Sequence, residues 1–332
     1  MKQTDRRSFL KIAGSSLGIG VLYSAYPAAH ATGEAGDFFN TLGQSSGEKL
    51  TPFSFVQLSD AHVGFNGPPD PLGTKAFERA AEMINGLPQR PDLILFTGDL
   101  THDTEDRDVH VQRMKQFQEI SKRINVPVIK HVPGEHDAGL DGGALYREMF
   151  GDTYYSFDHR GVHFVALDNV TRAKPEVGAE QLTWLKKDLA RFPKTAPIVV
   201  FTHRPLFDLR PDWEWFTSDG DDVMNVLSAY DNLTVLYGHI HRDDEHQTGS
   251  VHHYAARSLI FAFPDPNGVS GPRKPVPFDK DHPFKNLGIR TVAFNGMPQP
   301  GSAPLSIDDI ELTAREFRGI NGVQQLLRNS KV

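Results

Sequence analysis

Short apolar runs alternate with polar turn segments along most of the chain. Runs of this length bounded by Gly, Pro, Asn or Asp favour strands over helices, and an unbroken run favours a strand buried on both faces. The predicted strands are residues 53–58, 93–96, 126–132, 198–201, 233–237 and 290–294. Residues 154–157 and 162–167 flank a turn at His159, Arg160 and Gly161, and together they predict a β-hairpin.

Apolar residues at helical spacing fill most of the intervals between these strands. In the first interval, residues 77–84 carry apolar side chains at positions i, i+3, i+4 and i+7, which predicts an amphipathic helix. The other predicted helices cover residues 114–124, 182–192 and 223–230. Asp108 is the predicted N-cap of the second helix. Helices that alternate with strands and are interrupted by a hairpin predict an α/β protein with mixed sheets.

Polar residues follow several of the predicted strands directly. Asp99 comes shortly after the run 93–96, and the carboxyl ends of such strands are where open α/β sheets bind ligands. Taken alone, Asp99 could equally be a loop residue that caps the next helix. Five separate strands, however, end in Asp, His or Glu, and this recurrence indicates a shared metal site. The candidate residues are Asp60, His62, Asp99, Glu135, His136, His203, His239 and His241.

The composition restricts the metal and the class of protein. The 332-residue chain has no cysteine, so neither disulfides nor thiolate ligands contribute. Imidazole and carboxylate ligands together suit divalent transition metals such as Mn, Fe or Zn. With 39% hydrophobic and 23% charged residues, the chain is expected to be a globular protein with a sizeable core. A net charge of −7 gives no indication of a nucleic-acid-binding surface.

The first 31 residues have the pattern of an export signal. Arg6 and Arg7 precede an apolar stretch, and residues 29–31 (Ala-His-Ala) fit the small-x-small pattern of a cleavage site. The segment resembles a twin-arginine signal, although Asp5 replaces the usual Ser or Thr before the arginine pair. The resemblance implies export by a twin-arginine translocase to the periplasm or the medium, with cleavage after Ala31 and no stable membrane span afterwards. An uncleaved amphipathic anchor is the alternative.

The remainder is predicted to contain one large folded domain. Residues 32–51 are rich in Gly, Ser and Glu and are predicted to be a linker. Residues 52–300 hold the predicted strands and helices and form the expected domain. Residues 301–332 are a C-terminal extension whose only recognisable pattern is a short helix at 323–327.

The chain resembles the calcineurin-like metallophosphoesterases in the order and spacing of five short motifs between residues 53 and 241. The motifs are Asp60-x-His62, Gly98-Asp99, Gly134-Glu135-His136-Asp137, His203 and Gly238-His239-x-His241. The resemblance implies a four-layer α/β/β/α sandwich of two mixed sheets flanked by helices. It also implies a small-molecule phosphate ester as the substrate.

In that family the motif residues hold two divalent metal ions. The implied ligands are Asp60, His62, Asp99 and His241 for one ion, and Asp99, Glu135, His203 and His239 for the other. His136 would face the substrate phosphate, and Asp137 would orient the His136 imidazole.

Glu135 departs from the family pattern, which has Asn at this position. A carboxylate is itself a good ligand for these ions, so Glu135 is expected either to bind the second metal or to shift it. The expected function is an exported dinuclear phosphoesterase that hydrolyses a phosphomonoester or a phosphodiester with a metal-activated hydroxide. The alternative is a metal-loaded protein that binds a phosphate ligand with little or no turnover because of Glu135.

Three further features near the motifs each allow two interpretations. Arg204 either binds a substrate phosphate or pairs with a carboxylate. His102 and Asp103 either support the site or lie in a solvated approach to the next helix. The aromatic segment 213–216 either walls the pocket or packs against the core.

Overall fold

Eleven strands and six α-helices make up the part of the chain that the computed structural model describes, residues 49–296 and 305–312. Strands β1 to β11 are Phe53–Leu58, Leu93–Thr97, Val128–Val132, Tyr155–His159, Val162–Ala166, Pro197–Phe201, Asn232–Tyr237, Asp244–Thr248, Val251–Ala255, Gly288–Phe294 and Ser306–Glu311. Helices α1 to α6 are Lys75–Asn85, Arg107–Ser121, Glu135–Ala138, Ala144–Phe150, Ala179–Leu189 and Gly220–Leu227. Two short 3₁₀ helices are Pro211–Trp213 and Pro266–Gly268.

The strands form two mixed sheets. The first has the order β11-β10-β1-β2-β3. In this sheet β1, β2 and β3 are parallel to one another, and β10 is antiparallel to both of its neighbours, β1 and β11. The second has the order β4-β5-β6-β7-β9-β8, in which only the outermost strands, β4 and β8, are antiparallel to their neighbours. In each sheet the parallel strands therefore end at one common edge.

The two sheets share an inner core that is rich in phenylalanine. Phe55 of β1 and Phe164 of β5 are fully buried, and their rings make an edge-to-face contact at 5.7 Å. On its other face the first sheet packs against α1 and α2, where Phe77 and Phe117 are buried. Helices α5 and α6 cover the other face of the second sheet in the same way, through residues such as Leu185. The predicted arrangement of two mixed sheets flanked by helices is therefore confirmed.

The predicted strands and helices within the described residues each overlap an observed element, but several boundaries differ: the helix predicted at 114–124 is Arg107–Ser121, and that predicted at 223–230 is Gly220–Leu227. One predicted cap also differs. The N-cap of α2 is Asp106, whose Oδ1 accepts from the backbone N–H groups of Asp108 and Val109 at 2.8 and 3.1 Å. The prediction of Asp108 as the cap was wrong. Both residues are acidic and close to the helix start, so the spacing alone did not distinguish them.

Two sheet edges were not predicted from sequence. The acidic run at residues 243–245 leads into β8, the edge strand of the second sheet, where it pairs with β9. Within the segment 301–332, β11 pairs with β10, and the Arg290 guanidinium bonds both carboxylate oxygens of Asp309 at 2.8 and 2.7 Å.

The export signal and the helix predicted at 323–327 lie outside the described residues. No helix within those residues has the length and apolar character needed to cross a bilayer.

Candidate metal centre

Loops at the ends of five parallel strands bring the candidate ligands together. Each sheet contributes its own loops: those after β1, β2 and β3 in the first sheet, and those after β6 and β7 in the second. The ligating atoms form two groups, within each of which all atoms lie within 4.8 Å of one another. The groups are Asp60, His62, Asp99 and His241, and Asp99, Glu135, His203 and His239. The structure therefore places every residue of the expected ligand set at one centre, with Asp99 in both groups.

The backbone at this centre adopts a conformation that these residue types rarely take. Five candidate ligands have a left-handed φ: Asp60 (54°), His62 (40°), Asp99 (50°), His239 (65°) and His241 (51°). A left-handed φ costs an L-residue about 1–2 kcal/mol, and such strain persists only where the surrounding structure enforces it. The strained turns allow Asp60 and His62, and likewise His239 and His241, to direct both side chains into one site.

Two motif glycines make room for the ligands that follow or face them. A Cβ atom at Gly134 would lie 2.0 Å from Oδ1 of Asp99, and one at Gly98 would lie 2.2 Å from Nδ1 of His203. Both distances are far below van der Waals contact, so any larger residue would displace a ligand. The glycines of these two motifs are therefore required by close packing around Asp99 and His203.

Three of the four candidate histidine ligands are oriented by backbone carbonyl groups. The ring contacts are 2.7 Å from His203 Nδ1 to the Thr97 carbonyl, 3.1 Å from His239 Nε2 to the Glu214 carbonyl and 2.9 Å from His241 Nδ1 to the Phe261 carbonyl. Each carbonyl can only accept, so it fixes the proton on the nitrogen that faces it. The other ring nitrogen then presents a lone pair to the centre, as a metal-binding imidazole requires.

His62 is held differently. Its Nε2 lies 3.2 Å from Nε2 of His241 and 3.3 Å from Oδ2 of Asp99, while its Nδ1 lies 3.4 Å from Nδ1 of His102. A second histidine thus takes the place that a carbonyl occupies for the other three rings. His102 was open to two interpretations in the sequence, and its contact with His62 favours a supporting role at the site.

The contacts between facing ligand atoms fit bound cations better than direct hydrogen bonds. Nε2 of His203 and Oε2 of Glu135 are 2.8 Å apart, yet neither atom makes an aligned hydrogen bond within the described residues. In the neutral form of His203, with its proton on Nδ1, Nε2 and the Glu135 carboxylate present lone pairs to each other, and only a cation between them removes the repulsion. Atoms of this kind converge where a divalent ion is bound, and imidazole with carboxylate is a suitable donor set for one. The residues present therefore fit divalent metal ions.

Glu135 is surrounded by groups that favour its ionised form. Burial opposes a charge on Glu135, but His239 and His203 outweigh it and hold the pKa of this carboxyl well below its ordinary value. Oε1 of Glu135 lies 2.8 Å from Nδ1 of His239 and 3.4 Å from Nη2 of Arg204. Of its two predicted roles, Arg204 thus takes the pairing with a carboxylate, and Glu135 reaches the centre as a charged ligand.

His136 lies at the rim of the centre with one ring nitrogen bound to Asp103. The distance from Nδ1 of His136 to Oδ1 of Asp103 is 2.7 Å, and 28% of the His136 side chain is exposed. Burial opposes protonation of this imidazole, but the charges of Asp99, Asp103 and Glu135 outweigh it and raise its pKa to about 9. His136 thus lies next to the ligands, is accessible from solvent, and is surrounded by carboxylates that favour its protonated form.

Asp137 does not contact the His136 imidazole, contrary to the role that the family resemblance implied. Its carboxylate is fully buried and accepts from the Gly134 and Leu100 backbone N–H groups at 2.9 and 3.0 Å. Its other oxygen accepts from the N–H and hydroxyl of Thr101, both at 2.8 Å. Asp137 stands at the third position of α3, where a carboxylate turns back to the helix start. It therefore fixes the loops after β2 and β3, and Asp103 orients the imidazole.

The aromatic segment 213–216 contributes through its backbone. Trp213 and Trp215 are buried and their rings meet edge to face at 4.9 Å, so the packing interpretation of this segment is confirmed. Between them Glu214 has a left-handed φ of 61°, and its carbonyl accepts from both His239 and, at 2.9 Å, Nη1 of Arg204. No sequence pattern marks a carbonyl contact of this kind.

Comparison with known proteins identifies the family. The model of the calcineurin-like phosphoesterase family matches residues 53–243. A probable glycerophosphodiester phosphodiesterase of Arcobacter nitrofigilis is 27% identical over 203 residues, covering 56% of this chain and 71% of that protein. The serine/threonine-protein phosphatase CPPED1 of Mus musculus is 29% identical over 248 residues, covering 63% of this chain and 79% of that protein.

A solved structure shows the same fold. The dimetal phosphatase of Danio rerio superposes with a TM-score of 0.54 at 13% identity, covering 79% of this chain and 99% of that chain. The chain described here belongs to the calcineurin-like phosphoesterase family, and it is by that membership a metal-dependent phosphoester hydrolase.

The contacts of Asp137 predict that Asp137→Asn destabilises the fold. All four groups that face its carboxylate are donors, so either orientation of the amide leaves at least one buried backbone N–H facing an NH₂ group. We expect the free energy of unfolding in urea to fall by about 2 kcal/mol. Asp103→Asn, which changes the exposed carboxylate at the rim, is the matched control and should leave stability nearly unchanged. Equal stability of Asp137→Asn and the wild type would contradict this role.

Proposed function

We propose that the protein hydrolyses a phosphate ester, either a monoester or a diester, at a centre of two divalent ions. The observation that carries the proposal is the sharing of Asp99 between two complete groups of four ligands. A carboxylate in both groups can bridge two ions at the short separation that two-metal phosphoryl transfer uses. When bound, such ions supply a nucleophilic water at neutral pH and positive charge for the phosphoryl oxygens.

The residues around the ions then have separate tasks. Asp99 is held in place by the first turn of α3, where its Oδ1 accepts from the His136 backbone N–H at 3.0 Å. Arg204 balances the charge of Glu135, which leaves the centre more attractive to an anionic phosphate than the carboxylate alone would. His136 is placed to donate its proton to the leaving oxygen of the ester, with Asp103 fixing the ring orientation.

Replacement of the shared carboxylate tests the proposal. We expect Asp99→Ala to lose metal, measured by elemental analysis of the purified protein, and to lose hydrolysis of both a mono-aryl and a bis-aryl phosphate. The physical reason is that one substitution removes a ligand from both groups. Wild-type metal content and activity in Asp99→Ala would refute the two-ion centre. A metal-loaded wild type that binds phosphate without turning over either ester would support the alternative of a binding protein.

Replacement of the rim histidine should slow turnover without removing metal. We expect His136→Gln to lower kcat by a factor of about 10²–10⁴, the usual contribution of a general acid. The loss should be smaller for esters whose leaving group needs no proton, such as p-nitrophenol. The measurement is kcat for a series of aryl phosphates of increasing leaving-group pKa. An equal loss across the series would indicate an electrostatic or structural role instead.

Asp103→Asn is the matched variant for this test because it removes the charge beside His136 but keeps the ring. The hydrogen bond and charge of Asp103 both raise the pKa of His136, so loss of the Asp103 charge lowers it. The acid form is then lost at lower pH, so the falling alkaline limb of the pH–rate profile should move toward neutrality. An unchanged alkaline limb of the pH–rate profile would show that Asp103 does not influence the proton donor.

We propose further that the protein is exported by the twin-arginine route, on the basis of Arg6, Arg7 and the cleavage pattern at residues 29–31. Conversion of both arginines to lysine should leave the protein in the cytoplasm, since the paired arginines carry the recognition. Cell fractionation and immunoblotting measure the distribution. A variant of the small-x-small motif, Ala31→Leu, serves as the control, because it should block cleavage but not targeting. Normal export of the double-lysine variant would point to another route.

A further inference from the structure

Three phenylalanine rings line one side of the candidate metal centre. Phe261 and Phe263 follow β9 and lie 4.7 and 5.0 Å from the His241 ring, and their own rings are 5.5 Å apart. Phe65, from the loop after β1, lies 5.2 Å from Phe261. Phe65, Phe261 and Phe263 form the phenylalanine wall. Together the rings form a continuous apolar surface beside the ligands.

The phenylalanine wall is partly exposed to solvent, unlike the phenylalanines of the sheet core. Each of its three side chains is of intermediate exposure, whereas Phe55 and Phe164 are completely buried. Phe65 and Phe261 belong to none of the core clusters among the described residues, and Phe263 only packs against the cluster around Trp215. A contiguous exposed apolar surface is uncommon on a soluble protein unless it contacts a ligand or partner.

The position of the wall relative to His136 indicates what it contacts. Phe65 meets the His102 ring edge to face at 5.0 Å, and the His102 ring in turn lies 4.9 Å from that of His136. The wall therefore extends from His241, a ligand, toward His136, the proposed proton donor. In the proposed function the leaving group of the ester lies near His136, and the His102 ring connects that position to Phe65 of the wall.

A positive charge lies against the Phe263 ring of the wall. The Arg273 guanidinium lies 5.0 Å from the centre of the Phe263 ring, and no carboxylate within the described residues is in ion-pair contact with it. Phe261, Phe263 and Arg273 all lie beyond residue 243, where the match to the family ends. These parts of the wall are thus a feature of this chain outside the family motifs.

We propose that the phenylalanine wall is a subsite for a planar aromatic group of the substrate, so that the enzyme prefers phosphate esters of aryl or heteroaryl alcohols to those of small aliphatic alcohols. The inference rests on the proposed phosphoesterase function. Offset and edge-to-face ring contacts of this kind favour an aromatic group beyond the burial of its area. The phosphate would occupy the ions while the ring of the ester contacts Phe65 and Phe261.

Binding of two phosphonates to the metal-loaded protein tests the subsite without turnover. Benzylphosphonate and methylphosphonate share the anionic head, and only the first carries a ring. We expect wild-type protein to bind benzylphosphonate about tenfold more tightly or better, measured by isothermal titration calorimetry. In Phe261→Ala the ratio should fall toward one while the affinity for methylphosphonate is unchanged. Phe261→Leu, which keeps apolar bulk without a ring, should give an intermediate ratio.

Two controls separate a substrate contact from a structural effect. The metal content of Phe261→Ala should equal that of the wild type, because the backbone carbonyl that orients His241 is kept when the ring packed beside His241 is removed. Phe192→Ala removes a half-buried ring that packs on His163, away from the candidate ligands, and should leave the ratio unchanged.

The remaining outcomes contradict either the subsite alone or the proposed function together with the subsite. A wild-type ratio near one, with both phosphonates bound, would overturn the subsite and leave the phosphoesterase proposal intact. Equal losses for both phosphonates in Phe261→Ala would show that the ring supports the centre instead of contacting the ligand, which also overturns the subsite. Failure of the metal-loaded wild type to bind either phosphonate would overturn the proposed function and the subsite with it.

Discussion

The buried carboxylate of Asp99 is the constraint on which the rest of the centre depends. Its Oδ2 lies 3.3 Å from Nε2 of His62 and 3.4 Å from Nε2 of His203, so it joins ligands from loops of both sheets. With 1% of its surface exposed, the charge must be compensated within the protein. Divalent cations bound at the two ligand groups would provide that compensation. The Asp99 charge would thus be compensated at the place where loops from the two sheets meet.

The two packed sheets stabilise the protein enough to compensate for the destabilising features of the metal centre. Residues in left-handed conformations and buried polar groups each destabilise a fold, and here they are concentrated in the loops at one edge. Four of the five strands that carry those loops are almost entirely buried, as in β2, where every residue is buried, and only the edge strand β3 is largely half-buried. Asp137 ties two of the loops to one another through four hydrogen bonds. Strain in the loops is therefore tolerated because the strands beneath them are fixed.

Charge at the second ligand group is balanced by residues that are not ligands. Arg204 lies against Glu135, and the Glu214 carbonyl orients both Arg204 and His239. A carboxylate at position 135 would otherwise repel an anionic phosphate. The loop after β6 thus places the Arg204 guanidinium beside Glu135. Its positive charge offsets the negative charge that Glu135 has in place of the Asn usual in the family pattern. Asp103 has a comparable effect on His136 at the rim, where it stabilises the imidazolium form.

The sequence by itself determined the ligands and the strands that carry them, and the tertiary structure decided how those ligands are supported. Apolar runs ending in Asp, His or Glu are local patterns, so β2 and Asp99 could be recognised from neighbouring residues. The partner of His136 could not, because Asp103 and Asp137 are both nearby acids and only the loop geometry selects between them. Carbonyl contacts and edge strands such as β11 depend on segments far apart in the chain, and every residue has a carbonyl, so residue identity gives no signal.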